Sequence, residues 1–312
     1  MKKFIITLAG FAAILLLMSA VIEVGLLYRP NIYAYKRQYV EDHLNDIRVL
    51  LLGSSHIEEA VKPELVGEGI FNMAISARLK EYDGALAEMF VPRMKNLEAV
   101  VMPVDYTFFF FGRDLAEPAT GPAGGGADLI GTCRCMHTKY MGTRIDPIWY
   151  WSEILNSKLN FMSRFWNKKE VLQECDSLGY VKLNVNERKS GWEYRARPLM
   201  FDPNAPIDQA TYQEMWQAYE GLAKTTQQSG VRLVLVSTPV YETYKERITD
   251  MMYNDMLQFV EKLKQKYPNV EYYNFIYADG FLAEDFQDSS HLTDTGAVKF
   301  SKMLSKVLYP QK

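Results

Sequence analysis

Two short stretches, far apart in the chain, carry residues able to do acyl chemistry. The first is Gly53-Ser54-Ser55-His56, which follows the apolar run Val49-Leu50-Leu51-Leu52. The second is Asp288-Ser289-Ser290-His291, followed by Leu292-Thr293-Asp294-Thr295-Gly296. A serine hydroxyl is a weak nucleophile until a base takes its proton during attack. An imidazole whose Nδ1 faces a carboxylate is such a base, because the carboxylate fixes the tautomer that leaves Nε2 free. Asp288 precedes His291 by one helical turn or one tight loop, which brings its carboxylate to Nδ1. Each stretch also has an ordinary explanation. The first can be a helix-entry turn with a capping serine; the second can be a polar loop in which Thr293 or Asp294 caps the last helix. Taken together, in this order and each beside the appropriate element, they read as nucleophile, base and orienter: Ser55, His291 and Asp288.

Such chemistry needs a scaffold that sets the two stretches side by side. The apolar runs at 48–52, 69–73, 97–104, 231–237 and 270–275 have the length and β-branched content of buried strands. Apolar residues at helical spacing mark helices over 79–94, 209–228, 244–267 and 294–308, and a helix and loop over 58–68. Strands alternating with helices imply an α/β fold with a parallel sheet covered on both faces. A serine on the sharp turn after the first strand then lies at the carboxyl edge of the sheet, where such folds place their sites.

Gly-Ser-Ser after the first strand, with Asp-x-x-His before the last helix, resembles the SGNH/GDSL hydrolase superfamily. Within it the chain is most similar to the membrane-anchored branch of DltD-like and alginate O-acetylation-like proteins. The motifs span residues 48–307. The resemblance implies a flavodoxin-like three-layer domain. It assigns the nucleophile to Ser55 rather than Ser54, the base to His291 and the orienter to Asp288. It also implies an oxyanion hole, with the Ser55 N–H as one donor and a backbone N–H after the second strand as another. Asn72-Met73-Ala74 stands there, making the Ala74 N–H the candidate, with Asn72 either part of the site or a turn residue. Two departures bear on activity. Ser54 replaces the family's aspartate, and Pro103-Val104-Asp105 stands where a Gly-x-Asn-Asp block is expected. Asp105 therefore replaces an asparagine donor; ionised and nearby, it would repel an oxyanion, whereas turned elsewhere it would hold a substrate hydroxyl. His56 reads either as a helix-start residue or as a second imidazole at the site. Tyr241, after Pro239, falls at the carboxyl edge of the fourth strand, where it would line the cleft.

The N-terminus carries a different signal. Lys2 and Lys3 precede an apolar run from Phe4 to Leu27, interrupted only by small residues, Thr7, Ser19 and Glu23. As a helix this run spans about 36 Å, enough to cross a bilayer. Met18-Ser19-Ala20 makes a poor cleavage site and apolar residues continue beyond it, which favours an uncleaved signal anchor over a cleaved signal peptide. The expected organisation is an anchor over 1–28, a juxtamembrane segment over 29–47 and the α/β domain over 48–312, placed outside the cytoplasm. An insertion over 106–205 holds Phe108-Phe109-Phe110-Phe111, the loop Pro118 to Gly126, and Trp149, Trp151, Trp166 and Trp192. It is either a subdomain core or a platform for sugar rings or lipid headgroups.

A net charge of −3 without a basic stripe gives no case for nucleic acid. No His/Cys/carboxylate cluster has metal-ligand spacing, and no cofactor motif is present. Cys133, Cys135 and Cys175 allow either three free thiols or a bridge from Cys175 to one of the other two. The expected function is acyl-ester transfer, or assistance to it, on an envelope or secreted glycan. The resemblance implies a glycan or lipid-linked acyl acceptor and a multispanning O-acyltransferase partner. A glycan or lipid deacylase, and an inactive scaffold, are the competing expectations.

Overall fold

Successive residues of the predicted strands point to opposite faces, and both faces are filled. A computed structural model describes residues 1–105, 126–157, 160–166, 174–195 and 209–310. In chain order, α1 (Lys2–Leu27) and α2 (Ile32–Asp42) lead to β1 (Val49–Leu51), α3 (Ser55–Glu58), α4 (Pro63–Val66), β2 (Ile70–Asn72), α5 (Lys80–Phe90) and β3 (Ala99–Pro103). Three helices from the insertion follow: α6 (Gly126–Met136), α7 (Glu153–Asn156) and α8 (Asn160–Trp166). The alternation resumes with α9 (Gln209–Gln228), β4 (Arg232–Ser237), α10 (Glu242–Lys245), α11 (Asp250–Lys266), β5 (Val270–Asn274) and α12 (Asp294–Leu308).

The strands form one parallel sheet in the order β2-β1-β3-β4-β5, the flavodoxin-like order. Leu50, Leu52, Val100, Met102, Leu233 and Leu235 face one core, completed by side chains from α2, α5, α9 and α11. Val49, Leu51, Ala99, Val101, Val234 and Val236 face the other, completed by α3, α4 and α12. Both layers leave the carboxyl ends of β1 and β3 side by side.

The single helix expected over 244–267 is instead two. Thr249 Oγ1 accepts the Met252 N–H and caps α11, so the chain breaks between α10 and α11. Cys133, Cys135 and Cys175 are buried, and no disulfide joins them. Burial pushes the Cys133 thiol up to about 12 and that of Cys175 to about 11. The Phe108 to Phe111 run, and the Pro118 to Gly126 loop up to residue 125, lie outside the described residues.

The segment after α1 is packed into the domain. Val40 and Ile47 belong to the larger core, and the Tyr39 ring stacks on Phe71 at 4.0 Å. The apolar α1 is long enough to cross a membrane, and its most apolar window is not buried at all. Its last turns behave differently, for Glu23 is only 7% exposed. Glu23 accepts hydrogen bonds from Lys139 Nζ at 2.7 Å, Ser152 Oγ at 2.6 Å and the Ile154 N–H at 3.0 Å. Lys139 also pairs with buried Glu153 at 3.0 Å, and the Tyr140 hydroxyl donates to Glu153 while lying 3.0 Å from the Leu26 carbonyl. The end of α1 is thus joined to the insertion by a buried ionic network.

Candidate active site

The turn after β1 exists because Gly53 has no side chain. Its φ is +116°, and a Cβ there would stand 2.4 Å from Pro103 Cδ of the neighbouring strand. The Gly53 N–H donates to Asp83 Oδ1 at 3.0 Å, and Arg78 Nη1 reaches the same oxygen at 3.0 Å. This buried pair on and before α5 holds the turn from behind. Ser54 then takes the N-cap position and Ser55 opens α3. The Ser55 N–H lies in the first helical turn, where it has no acceptor within the helix.

The second stretch closes on itself. The Gln287 N–H donates to the His291 carbonyl at 2.8 Å, and Phe286 and Leu292 form an antiparallel bridge. Asp288 Oδ1 accepts the backbone N–H groups of Ser290 at 2.8 Å and His291 at 2.9 Å. The same carboxylate faces His291 Nδ1, with Oδ2 at 2.9 Å and Oδ1 at 3.0 Å. Burial works against the charge on Asp288, but the imidazole and the two backbone donors outweigh it and hold the carboxyl below its usual range. With Nδ1–H donated to Asp288, Nε2 is an acceptor, and Ser55 Oγ stands 2.8 Å from it. The structure therefore brings together Ser55, His291 and Asp288, which lie in separate halves of the sequence. Chemically, the arrangement can draw a proton from the Ser55 hydroxyl as it attacks an acyl carbon, then return that proton to a leaving oxygen.

The loop after β2 departs from expectation. The Ala74 N–H is donated to Asn72 Oδ1 at 3.2 Å, and Ala74 is fully buried, so this N–H is not presented to a substrate. Asn72 is a clamp: its Nδ2 lies within hydrogen-bond reach of the carbonyls of Ile57, Glu58 and Val61, tying β2 to α3. Beyond it, Ala77 has a φ of +59°, the left-handed region that non-glycine residues seldom enter. Asp105 is buried with the Tyr244 hydroxyl 3.2 Å from both its oxygens.

His56 lies beside the base, its ring centroid 4.8 Å from that of His291. The Tyr241 N–H donates to the Ser289 carbonyl at 2.9 Å, placing Tyr241 against the histidine loop. Trp192 of the insertion packs on Tyr241 at 4.8 Å, and the Arg188 guanidinium lies over Trp192 at 4.1 Å. Arg188 Nε donates to the Phe286 carbonyl, so this part of the insertion is fastened to the same loop.

Sequence reasoning missed a group under the nucleophile. Lys36 of α2, fully buried, donates to Glu58 Oε1 at 2.8 Å and to the Ala74 carbonyl. Glu58 Oε2 accepts the Ser76 N–H at 2.7 Å, and Ser76 Oγ also lies 2.9 Å from Glu59 Oε1. Glu58 falls one turn after Ser55, so helical spacing places it beneath the nucleophile. Nothing near Lys36 in the sequence marks it as a partner.

No family model and no curated protein matches the chain. Among solved structures, a protein from Streptococcus pneumonia, described provisionally as a platelet activating factor, overlays with a TM-score of 0.42 and 13% identity. The overlay covers 94% of this chain and 99% of that one. Both similarity figures are too low to carry an activity from one chain to the other.

Proposed function

We propose that this chain is a membrane-anchored serine acyl-ester enzyme of SGNH type that moves acyl groups on an envelope or secreted glycan. The observation that carries this reading is the 2.8 Å contact between Ser55 Oγ and His291 Nε2, with Asp288 on Nδ1. Ser55 Oγ bonds to the acyl carbon while His291 takes the hydroxyl proton. The ester C–O bond then breaks and the proton passes to the departing oxygen. An acceptor hydroxyl, deprotonated by the same imidazole, attacks the acyl-serine; the acyl–Oγ bond breaks and His291 returns the proton to Ser55 Oγ. The Ser55 N–H, unused within α3, is the donor we assign to the oxyanion.

Transfer is favoured over hydrolysis because the asparagine donor of the resembling family is replaced by Asp105, which is engaged by Tyr244. Losing one such donor typically costs about 10²–10³ in rate. A positioned acceptor offsets that loss, since effective molarities reach about 10⁵ M or more; unpositioned water gains nothing comparable. The Trp192 and Tyr241 rings beside the histidine loop give a sugar ring a surface to stack on. An acyl donor delivered by a multispanning O-acyltransferase fits a domain held at the membrane.

A serine-directed fluorophosphonate should label the full chain at Ser55, with labelling lost in Ser55→Ala and kept in Ser54→Ala. In cells, Ser55→Ala and His291→Ala should each lower the O-acyl content of an envelope glycan. A rise in that content would make the protein a deacylase. No change in either variant, with a change on deleting the whole chain, would make it a scaffold.

A further inference from the structure

The insertion leaves a group of large apolar side chains in solvent, and they gather around one feature. Ile148 and Trp149, in the short helical turn before α7, are 78% and 62% exposed. Leu155 of α7 is 73% exposed, and Met162 and Trp166 of α8 are 47% and 71% exposed. Both α7 and α8 pack against α1. At α7 the link is Glu23, which accepts the Ser152 hydroxyl and the Ile154 N–H at that helix's N-terminus. At α8 it is Gly25, whose missing side chain admits the Phe165 ring: a Cβ there would lie 2.8 Å from Phe165 Cε2. Arg29, just past α1, lies over the same ring at 5.5 Å.

These contacts set a level. The exposed side chains stand on or beside elements attached to the last turns of α1, where the uninterrupted apolar surface of that helix stops. Several large apolar side chains exposed on elements attached to one helix end are unusual on a surface facing only water. Tryptophan with aliphatic neighbours at the end of a spanning helix suits the boundary between acyl chains and headgroups. An arginine beside it suits the headgroup region, because its stem packs on apolar surface while its charge stays hydrated.

We propose that Ile148, Trp149, Leu155, Met162 and Trp166 form an apron that lies on the bilayer surface around the exit of α1. The proposal rests on α1 spanning the membrane. The domain is then held at two places, by the Glu23 network and by the apron, so that its orientation to the lipid is fixed. The partner is the lipid boundary itself, and the apron is separate from the Ser55 site.

The test uses the full chain in lipid nanodiscs and tryptophan quenching by brominated phosphatidylcholine. Variants retaining only Trp149 or only Trp166 should lose most of their emission with bromine placed near the headgroup. A variant retaining only Trp192 should not. The converse variant, Trp149→Phe with Trp166→Phe, should lose the headgroup-level quenching while keeping the other tryptophans. Ile14→Trp, in the middle of α1, should be quenched by bromine near the chain ends. Quenched Ile14→Trp with unquenched Trp149 and Trp166 overturns the apron and leaves the span standing. Unquenched Ile14→Trp removes the span and the apron with it. Efficient disulfide crosslinking of two copies through Leu155→Cys would also overturn the proposal, since a second copy would then cover the face.

Discussion

Ser76 has one hydroxyl proton and two carboxylates within reach, Glu58 Oε2 at 2.6 Å and Glu59 Oε1 at 2.9 Å. Two ionised carboxylates would leave one of these short contacts without a hydrogen. The arrangement closes when Glu59 is protonated and donates to Ser76 Oγ, while Ser76 donates to Glu58 and Glu58 stays paired with Lys36. Burial raises the Glu59 carboxyl above its usual range even though His291 is near, in keeping with a proton held there. A neutral Glu59 also keeps negative charge away from an oxyanion forming at Ser55. Glu59→Gln, which keeps a donor in place, should therefore retain most of the turnover of p-nitrophenyl acetate. Glu58→Gln strips buried Lys36 of its counter-ion, and breaking such a pair costs about 3–5 kcal/mol. Urea midpoints and turnover of the two variants check this; equal losses in both would mean that Glu59 acts ionised.

At the scale of elements, the nucleophile depends on how closely the turn after β1 approaches β3. Gly53→Ala would put a methyl into Pro103 and hold a left-handed backbone against its preference. Overpacking and left-handed strain together predict a loss of about 2–5 kcal/mol, read from denaturant midpoints, with weaker fluorophosphonate labelling of Ser55. The contribution of α2 gives another expectation. A soluble form cut at residue 48 lacks Lys36 and Val40, leaving Glu58 buried without its cation. It should be less stable and less active than one cut at residue 29, and comparing the two by thermal melting and esterase assay tests this. From the sequence the domain starts at residue 48, where its first strand begins. Strands and long amphipathic helices such as α9 and α12 announce themselves by period. Gly53, Ser55, Asp288 and His291 do so by residue type beside an element edge. Lys36 sits in a polar, aromatic segment whose burial depends on Glu58 and the Ala74 carbonyl, both distant in sequence. The partner of the Ala74 N–H is decided by the rotamer of Asn72, which no local pattern encodes. The break before α11 did have a local sign, in Thr249-Asp250, but continuous apolar spacing on both sides masked it.

At the scale of the whole molecule, one buried imidazole, His137, ties stability to pH. It is fully buried, stacked on Tyr82 at 4.0 Å, and neither ring nitrogen has a hydrogen-bond partner among the described residues. Burial, helped by the Arg78 charge, holds its pKa well below the usual imidazole value. The unfolded chain then binds a proton that the folded chain refuses once the pH falls below about 6.5. Folding stability should rise with pH between the depressed folded value and about 6.5, and be lost as the pH falls through that window. The slope is about 1.4 kcal/mol per pH unit for this one group. Denaturant melts between neutral and mildly acid pH should show it, and His137→Phe should flatten it; an unchanged slope would assign the acid sensitivity elsewhere.

The buried network at the end of α1 also has a history in time. Lys139, the cation that neutralises Glu23, lies 116 residues further along the chain. At a synthesis rate of about 5–20 residues per second, that gap lasts on the order of ten seconds. A helix that inserts as it is made therefore meets the bilayer carrying an acid with no counter-ion, and keeps it until residues 139–154 have emerged and folded. With α1 in the membrane, as proposed, the network at its end is completed by later residues, and a nascent chain stalled between the two would hold the Glu23 carboxylate uncovered.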